Sequence, residues 1–126
     1  MDSILLSIKK LLGIASDYKQ FDTDVIIHIN SVFLTLNQLG IGPDDGFSID
    51  SESEEWSDYI PDNQLLLSAV KSYMYLKVKM LFDPSLTSFV NDLMKEEARE
   101  LEWRMNLLAD EPEFLREGKT SESASL

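Results

Sequence analysis

The chain has 126 residues, with 23 acids, 11 bases, no cysteine and a formal net charge of −12 at pH 7. That length suits one domain with an ordinary core, and an apolar fraction of 44% argues against disorder throughout. The lack of cysteine excludes disulfides, thiolate zinc sites and thiol nucleophiles, and the acidity argues against nucleic-acid binding through phosphates, which needs clustered Lys and Arg.

The first segment predicts a helix over 3–12. Asp2 or Ser3 supplies a capping oxygen for the free N–H groups of its first turn. Ile4, Leu5, Ile8, Leu11 and Leu12 recur at helical spacing. Lys9 and Lys10 sit near the C-terminal end, where the helix dipole favours cations. Gly13 is a stop. Residues 1–13 are apolar on one face only and lack a small-residue cleavage site, which reads against a signal peptide.

A second helix is predicted over 23–39, capped by Asp22 or Thr23. Val25, Ile29, Val32, Leu36 and Leu39 follow the rhythm of a packed seam, and Ile26 and Phe33 widen it. So broad an apolar face implies a central helix with partners on more than one side. The stretch 25–36 is too short and too polar, with His28 and Asn30 inside it, to span a bilayer.

Residues 41–61 read as a long loop. Pro43, Gly46 and the alternation of Ser with acids prevent a regular helix. Phe47, Ile49, Trp56, Tyr59 and Ile60 suggest that it is tied down in part, as in a short β-hairpin. The charge of the protein concentrates here. The 51 residues from Gln20 to Val70 hold ten acids and no Lys or Arg, and outside them 13 acids face 11 bases. Eight of the ten are Asp44, Asp45, Asp50, Glu52, Glu54, Glu55, Asp58 and Asp62. A patch of one sign repels other anions.

A third helix is predicted over 62–82, ended by Asp83 and Pro84. Tyr73 and Met80 read as core and Tyr75 as an outer residue. A fourth is predicted over 85–109, about 37 Å long at 1.5 Å per residue, so that one end protrudes. Leu86, Phe89, Val90, Leu93, Leu101, Met105 and Leu108 form its apolar stripe. Glu100 and Arg104 make a favourable i,i+4 pair. Trp103 falls near the face opposite Leu101. It is either an interface residue beside Arg99 and Arg104 or covered by another part of the chain. Residues 1–110 are expected to form the domain and 111–126 a loose polar tail.

Catalytic and metal chemistry find little support. His28, the single histidine, lies one turn after Asp24, but no nucleophile accompanies the pair. Asp50, Glu52 and Glu54 alternate like the start of a calcium loop. The glycine and the glutamate that such a loop needs at its sixth and twelfth positions are Glu55 and Pro61. No phosphate-binding Gly-rich loop and no Ser-His-Asp arrangement is present. The chain reads as a non-enzymatic interaction module without a cofactor.

Three segments resemble the phage head-tail connector family, small adaptor proteins that form a ring beneath the portal of a tailed phage. They are Ile4-Leu5-Leu6-Ser7-Ile8-Lys9-Lys10-Leu11-Leu12-Gly13-Ile14, then Phe21-Asp22-Thr23-Asp24 leading into the apolar run Val25-Ile26-Ile27-His28-Ile29-Asn30, then residues 69–84, where a helix ends at Asp83-Pro84. The resemblance covers about residues 1–109. It implies an all-α protomer of about four helices that self-assembles into a ring at the virion head-tail junction, after assembly in the host cytoplasm. It also implies docking on a portal protein, contact with a stopper or tail-completion protein, passage of DNA without specific binding, and no enzyme activity or membrane. On that reading the loop acids Asp44, Asp45, Asp50, Glu52, Glu54, Glu55 and Asp58 line the channel or meet a basic partner. Trp103, Arg99 and Arg104 form an oligomer or portal interface. The competing reading is a small acidic regulator that binds a basic protein.

Overall fold

The computed structural model describes residues 2–83 and 87–109 and is all-α. Among these residues the helices in chain order are α1 Ile4–Leu12, α2 Asp22–Gln38, α3 Trp56–Tyr59, α4 Gln64–Phe82 and α5 Ser88–Ala109. Four match the sequence expectation within a few residues, and the single-turn α3 was unforeseen. Leu86 and the tail 111–126 lie outside the described residues.

Caps explain most helix ends. Ser3 Oγ accepts from the Leu6 N–H at 3.2 Å, and Gly13, in the left-handed region at φ 82°, donates back to the Lys10 carbonyl. Asn63 Oδ1, not Asp62, caps α4 through the Leu66 N–H at 3.1 Å. Thr87 Oγ1 accepts from the Val90 N–H at 3.2 Å, so the last helix starts three residues later than expected. At α2 the expected caps fail. Phe21 takes the N-cap position without a side-chain bond, because the Asp22 carboxylate is drawn to Lys9.

Helix α4 is the middle element and packs against α1, α2 and α5. It buries Leu66, Leu67, Val70, Tyr73, Met74 and Val78. Each large apolar side chain so placed contributes about 1.5–3 kcal/mol. From α2 come Val25, Ile29, Val32, Phe33 and Leu36, and from α1 Ile4, Leu5 and Ile8. Helix α5 adds Ala98, Leu101 and Met105. Tyr73 reaches from α4 to α5, where its hydroxyl donates to Glu102 Oε2 at 2.7 Å. Burial, followed by that hydrogen bond and the Glu102 charge, pushes the phenol well above its ordinary range. Met80 and Tyr75 are half-buried, so neither fits a strict core or surface assignment.

The stripe read along α5 divides. Its second half is core. In its first half Phe89, Val90 and Leu93 are exposed, and no described element covers them.

The place of Lys9 near the end of α1 suggests that it serves the helix dipole in solvent. Its side chain is instead fully buried. The ammonium donates to the carbonyls of Tyr18 at 2.8 Å and Ser16 at 3.2 Å, and faces Asp22 Oδ1 at 2.6 Å. Oδ1 has no well-aligned donor, so charge rather than hydrogen-bond geometry compensates it. A buried ammonium is tolerable only when paired and hydrogen-bonded. This one ties the 13–21 connection to α1.

Candidate functional site

The acidic segment is held down at several points, and no hairpin is formed. Asn30 on α2 acts as a surrogate strand. Its amide donates to the Ile49 carbonyl at 2.9 Å and accepts from the Ile49 N–H at 2.8 Å. An isolated antiparallel bridge joins Ser3 to Glu55, with Ile4 N–H to the Glu54 carbonyl at 3.0 Å and Trp56 N–H to the Asp2 carbonyl at 3.1 Å. Trp56 is buried, donates to Ser7 Oγ at 2.9 Å and lies 5.7 Å from the Lys71 ammonium. Phe33, Phe47 and Tyr59 pack beside it edge-on or tilted, with ring centroids 4.7–5.2 Å apart. Gly42, at φ 90°, lets the backbone lie against the Tyr59 ring.

This anchoring divides the acids by task. Glu54 caps a turn, accepting from the N–H groups of Asp50 and Ser51 at 3.1 and 3.3 Å and from Ser51 Oγ at 3.3 Å. Burial alone would raise its pKa. The hydrogen bonds from the backbone N–H groups of Asp50 and Ser51 outweigh it and hold the carboxyl below its ordinary value. Glu55 and Asp58 form a reciprocal capping box around α3, with the Glu55 N–H donating to Asp58 Oδ2 at 2.9 Å. Glu52 meets Lys19 at 3.2 Å in an exposed pair. Asp44, Asp45 and Asp62 are exposed, with no side-chain partner among the described residues. Three of the eight acids, Glu54, Glu55 and Asp58, thus serve the segment's own folding, and Asp44, Asp45, Asp50, Glu52 and Asp62 are exposed.

The second candidate surface is the outer face of α5. Trp103 is 63% exposed, and no described element covers it. Arg99 pairs with Glu96 at 2.8 Å and Arg104 with Glu100 at 3.6 Å, all within α5 and all solvent-facing. Such pairs contribute little to stability, which leaves both guanidinium groups able to exchange partners. Phe89, Leu93 and Leu107 share the face of Trp103, with exposures of 72%, 55% and 56%. Their spacing of 89, 93, 103 and 107 is readable in the sequence, which places Phe89 and Leu93 in one apolar stripe with Leu101 and Met105.

His28 is half-buried, and no hydrogen bond joins it to Asp24. Among the described residues no group of three or more His, Cys, Asp or Glu is placed to hold a metal ion. Among them also, no helix is long and apolar enough to cross a membrane.

The described part is a small helical bundle that holds large apolar side chains out to solvent on α5 and collects its charge in an anchored loop. Over residues 4–112 the sequence matches the family described as phage connector protein, and the chain belongs to that family. Its class is therefore that of phage structural connectors, which are not typically enzymes. No curated protein and no solved structure matches the chain significantly.

Proposed function

We propose that the protein is a head-tail connector protomer that assembles as a ring on the portal and links head to tail around the DNA channel. The observation that carries this reading is the family match, which spans every described helix. The build of the protomer supports it. A ring needs two different patches on each copy, and the acidic segment and the α5 face are two such patches on different elements. Its other partner would be a stopper or tail-completion protein, and its place the virion head-tail junction. Electron microscopy of the purified protein, alone and mixed with portal rings, tests the reading. Closed rings or added density on the portal are expected. A protein that does neither would overturn it.

Within that function the acidic segment presents its unpartnered charge to the DNA channel or to a basic neighbour. Phosphate binding needs cations, so a channel rimmed by Asp44, Asp45 and Asp62 would not hold DNA back. Changing these three to Ser leaves the turn around Glu54 and the Glu55–Asp58 box intact. The variant should assemble normally and lose infectivity. Full infectivity would remove the acidic segment from the mechanism.

A further inference from the structure

Helices α2, α4 and α5 enclose a groove of about 430 Å³, lined chiefly by Val32, Thr35, Lys77, Met80, Leu81 and Lys95. Val32 forms a buried floor, and Leu81 stands half exposed on the wall. No carboxylate of the described residues lines it, on a chain with a net charge of −12. Its two ammonium groups are uncompensated. Among the described residues neither Lys77 nor Lys95 makes an ion pair, and Lys77 lies 5.8 Å from the centroid of the Tyr73 ring. The acids on neighbouring turns of α5 do not fill that role. Glu102 accepts from the Tyr73 hydroxyl at 2.7 Å and Glu96 meets Arg99 at 2.8 Å. Asp92 and Glu97 are exposed and do not line the groove. An apolar floor with cations at its mouth fits an acidic segment that carries an apolar anchor.

We infer that the occupant is the C-terminal segment of a second copy of this chain, residues 110–117, with Phe114 and Leu115 over the apolar floor and the flanking acids facing Lys77 and Lys95. The inference rests on the ring reading and supplies a contact between its protomers. Residues 110–126 follow the last described residue, Ala109. The stretch 110–117 holds Asp110, Glu111, Glu113 and Glu117 against one base, Arg116, around the pair Phe114-Leu115. Both halves of the required chemistry are therefore in this segment. The acidic segment between α2 and α4 has the charge but no free anchor, because Phe47, Ile49, Trp56, Tyr59 and Ile60 pack into their own core. Reach selects a neighbour over the same chain. The groove opens at Asn91 and Lys95, which lie 18 and 14 residues before Ala109 on α5. At 1.5 Å per residue that is about 21–27 Å. Phe114 comes five residues after Ala109, a span of at most about 18 Å. A protomer cannot bring its own Phe114 back to its own groove, and a neighbour's Phe114 is under no such limit. A tail on one copy and a groove on the next make a heterologous contact, the kind that closes rings. Asp44, Asp45 and Asp62 take no part in it, so the variant that removes them keeps this contact.

The chain has no cysteine, so one introduced pair reports the contact. Full-length Leu81→Cys and Phe114→Cys, one of them carrying a mass tag, are mixed and oxidised, alone and on portal rings. A disulfide needs its two Cβ atoms about 4 Å apart, so heterodimers should form in excess over either homodimer. A chain with both substitutions should link copy to copy and give a ladder of oligomers. A disulfide within one chain would overturn the inference. A fluorescent peptide of residues 110–120 gives a second readout. It should bind the full chain carrying Phe114→Ser and Leu115→Ser, whose own tails no longer compete. Adding Lys77→Glu and Lys95→Glu to that chain should weaken binding about 30-fold or more, the mark of a hot spot, with circular dichroism as the control for folding. A peptide with Glu113→Lys and Glu117→Lys should then prefer the reversed groove. Rings that form without the cross-link, or a peptide that binds both grooves equally, would overturn this contact and leave the ring standing. A wild type that neither self-associates nor decorates the portal would defeat the ring reading itself.

Discussion

Replacing Lys9 with Met should destabilise the protein by about 3 kcal/mol. The substitution keeps the length and most of the apolar volume of a side chain that is wholly buried. It removes the ammonium from Asp22 at 2.6 Å and from the carbonyls of Ser16 and Tyr18 at 3.2 and 2.8 Å. Breaking a buried pair by deleting one partner costs about 3–5 kcal/mol, because the other charge is left uncompensated. The Asp22 side chain is 21% exposed, so water takes up part of the deficit and the low end applies. At roughly 4 °C per kcal/mol for a chain of this size, the melting temperature should fall by about 12 °C. Urea unfolding followed by circular dichroism measures the loss directly. Adding Asp22→Asn to Lys9→Met should recover about 1 kcal/mol or more, since the orphaned carboxylate is then gone. Amide exchange should speed up over residues 13–21, which Lys9 ties to α1. A Lys9→Met protein within about 0.5 kcal/mol of wild type would show that the pair merely offsets its own desolvation.

Asn30→Ala removes both bonds to Ile49 and should cost about 2 kcal/mol. Hydrogen exchange at Ile49 should accelerate more than exchange in α4. Gly42→Ala sets a Cβ 2.7 Å from the buried Tyr59 ring at φ 90°, so both overlap and backbone strain arise. A loss of about 2–4 kcal/mol is expected in thermal or urea unfolding. Glu54 links the acidic segment to pH. Its carboxyl titrates below its ordinary value of 4.5 in the folded chain, so the unfolded segment takes up the proton first. Its contribution is therefore complete above about pH 4.5 and is lost as pH falls through the lower folded value. Amide protection at Asp50 and Ser51 should fall over that range, and Glu54→Gln should weaken it at neutral pH and flatten the dependence.

The helices were legible because each carries a local signature. Apolar residues at helical spacing mark α1, α2 and α4, Ser3 starts α1, and Gly13 and Asp83 end α1 and α4 where local chemistry says they must end. Element boundaries slipped where a long-range partner outbid the local cap. Asp22 left its capping role for Lys9, thirteen residues earlier in the chain. Nothing in the sequence around α3 announces a helix, since the turn exists because Glu55 and Asp58 cap one another once Trp56 is buried. The candidate surfaces were only half legible. The offset of Trp103 to Leu101 puts it near the opposite face and leaves open whether another part of the chain covers it, and in the fold it is exposed. Phe89 and Leu93 fall in the same apolar stripe as the buried Leu101 and Met105, because periodicity reports that residues recur on a helix without saying what covers them.

By itself the sequence determined an all-α chain with its charge gathered between α2 and α4, since composition and spacing are local properties that survive in any tertiary arrangement. The tertiary structure decided which acids are structural and which are presented, that Lys9 is interior, and that α5 carries a core face and a bare apolar ridge. Those are matters of distance between residues far apart in the chain, and only packing around α4 sets them.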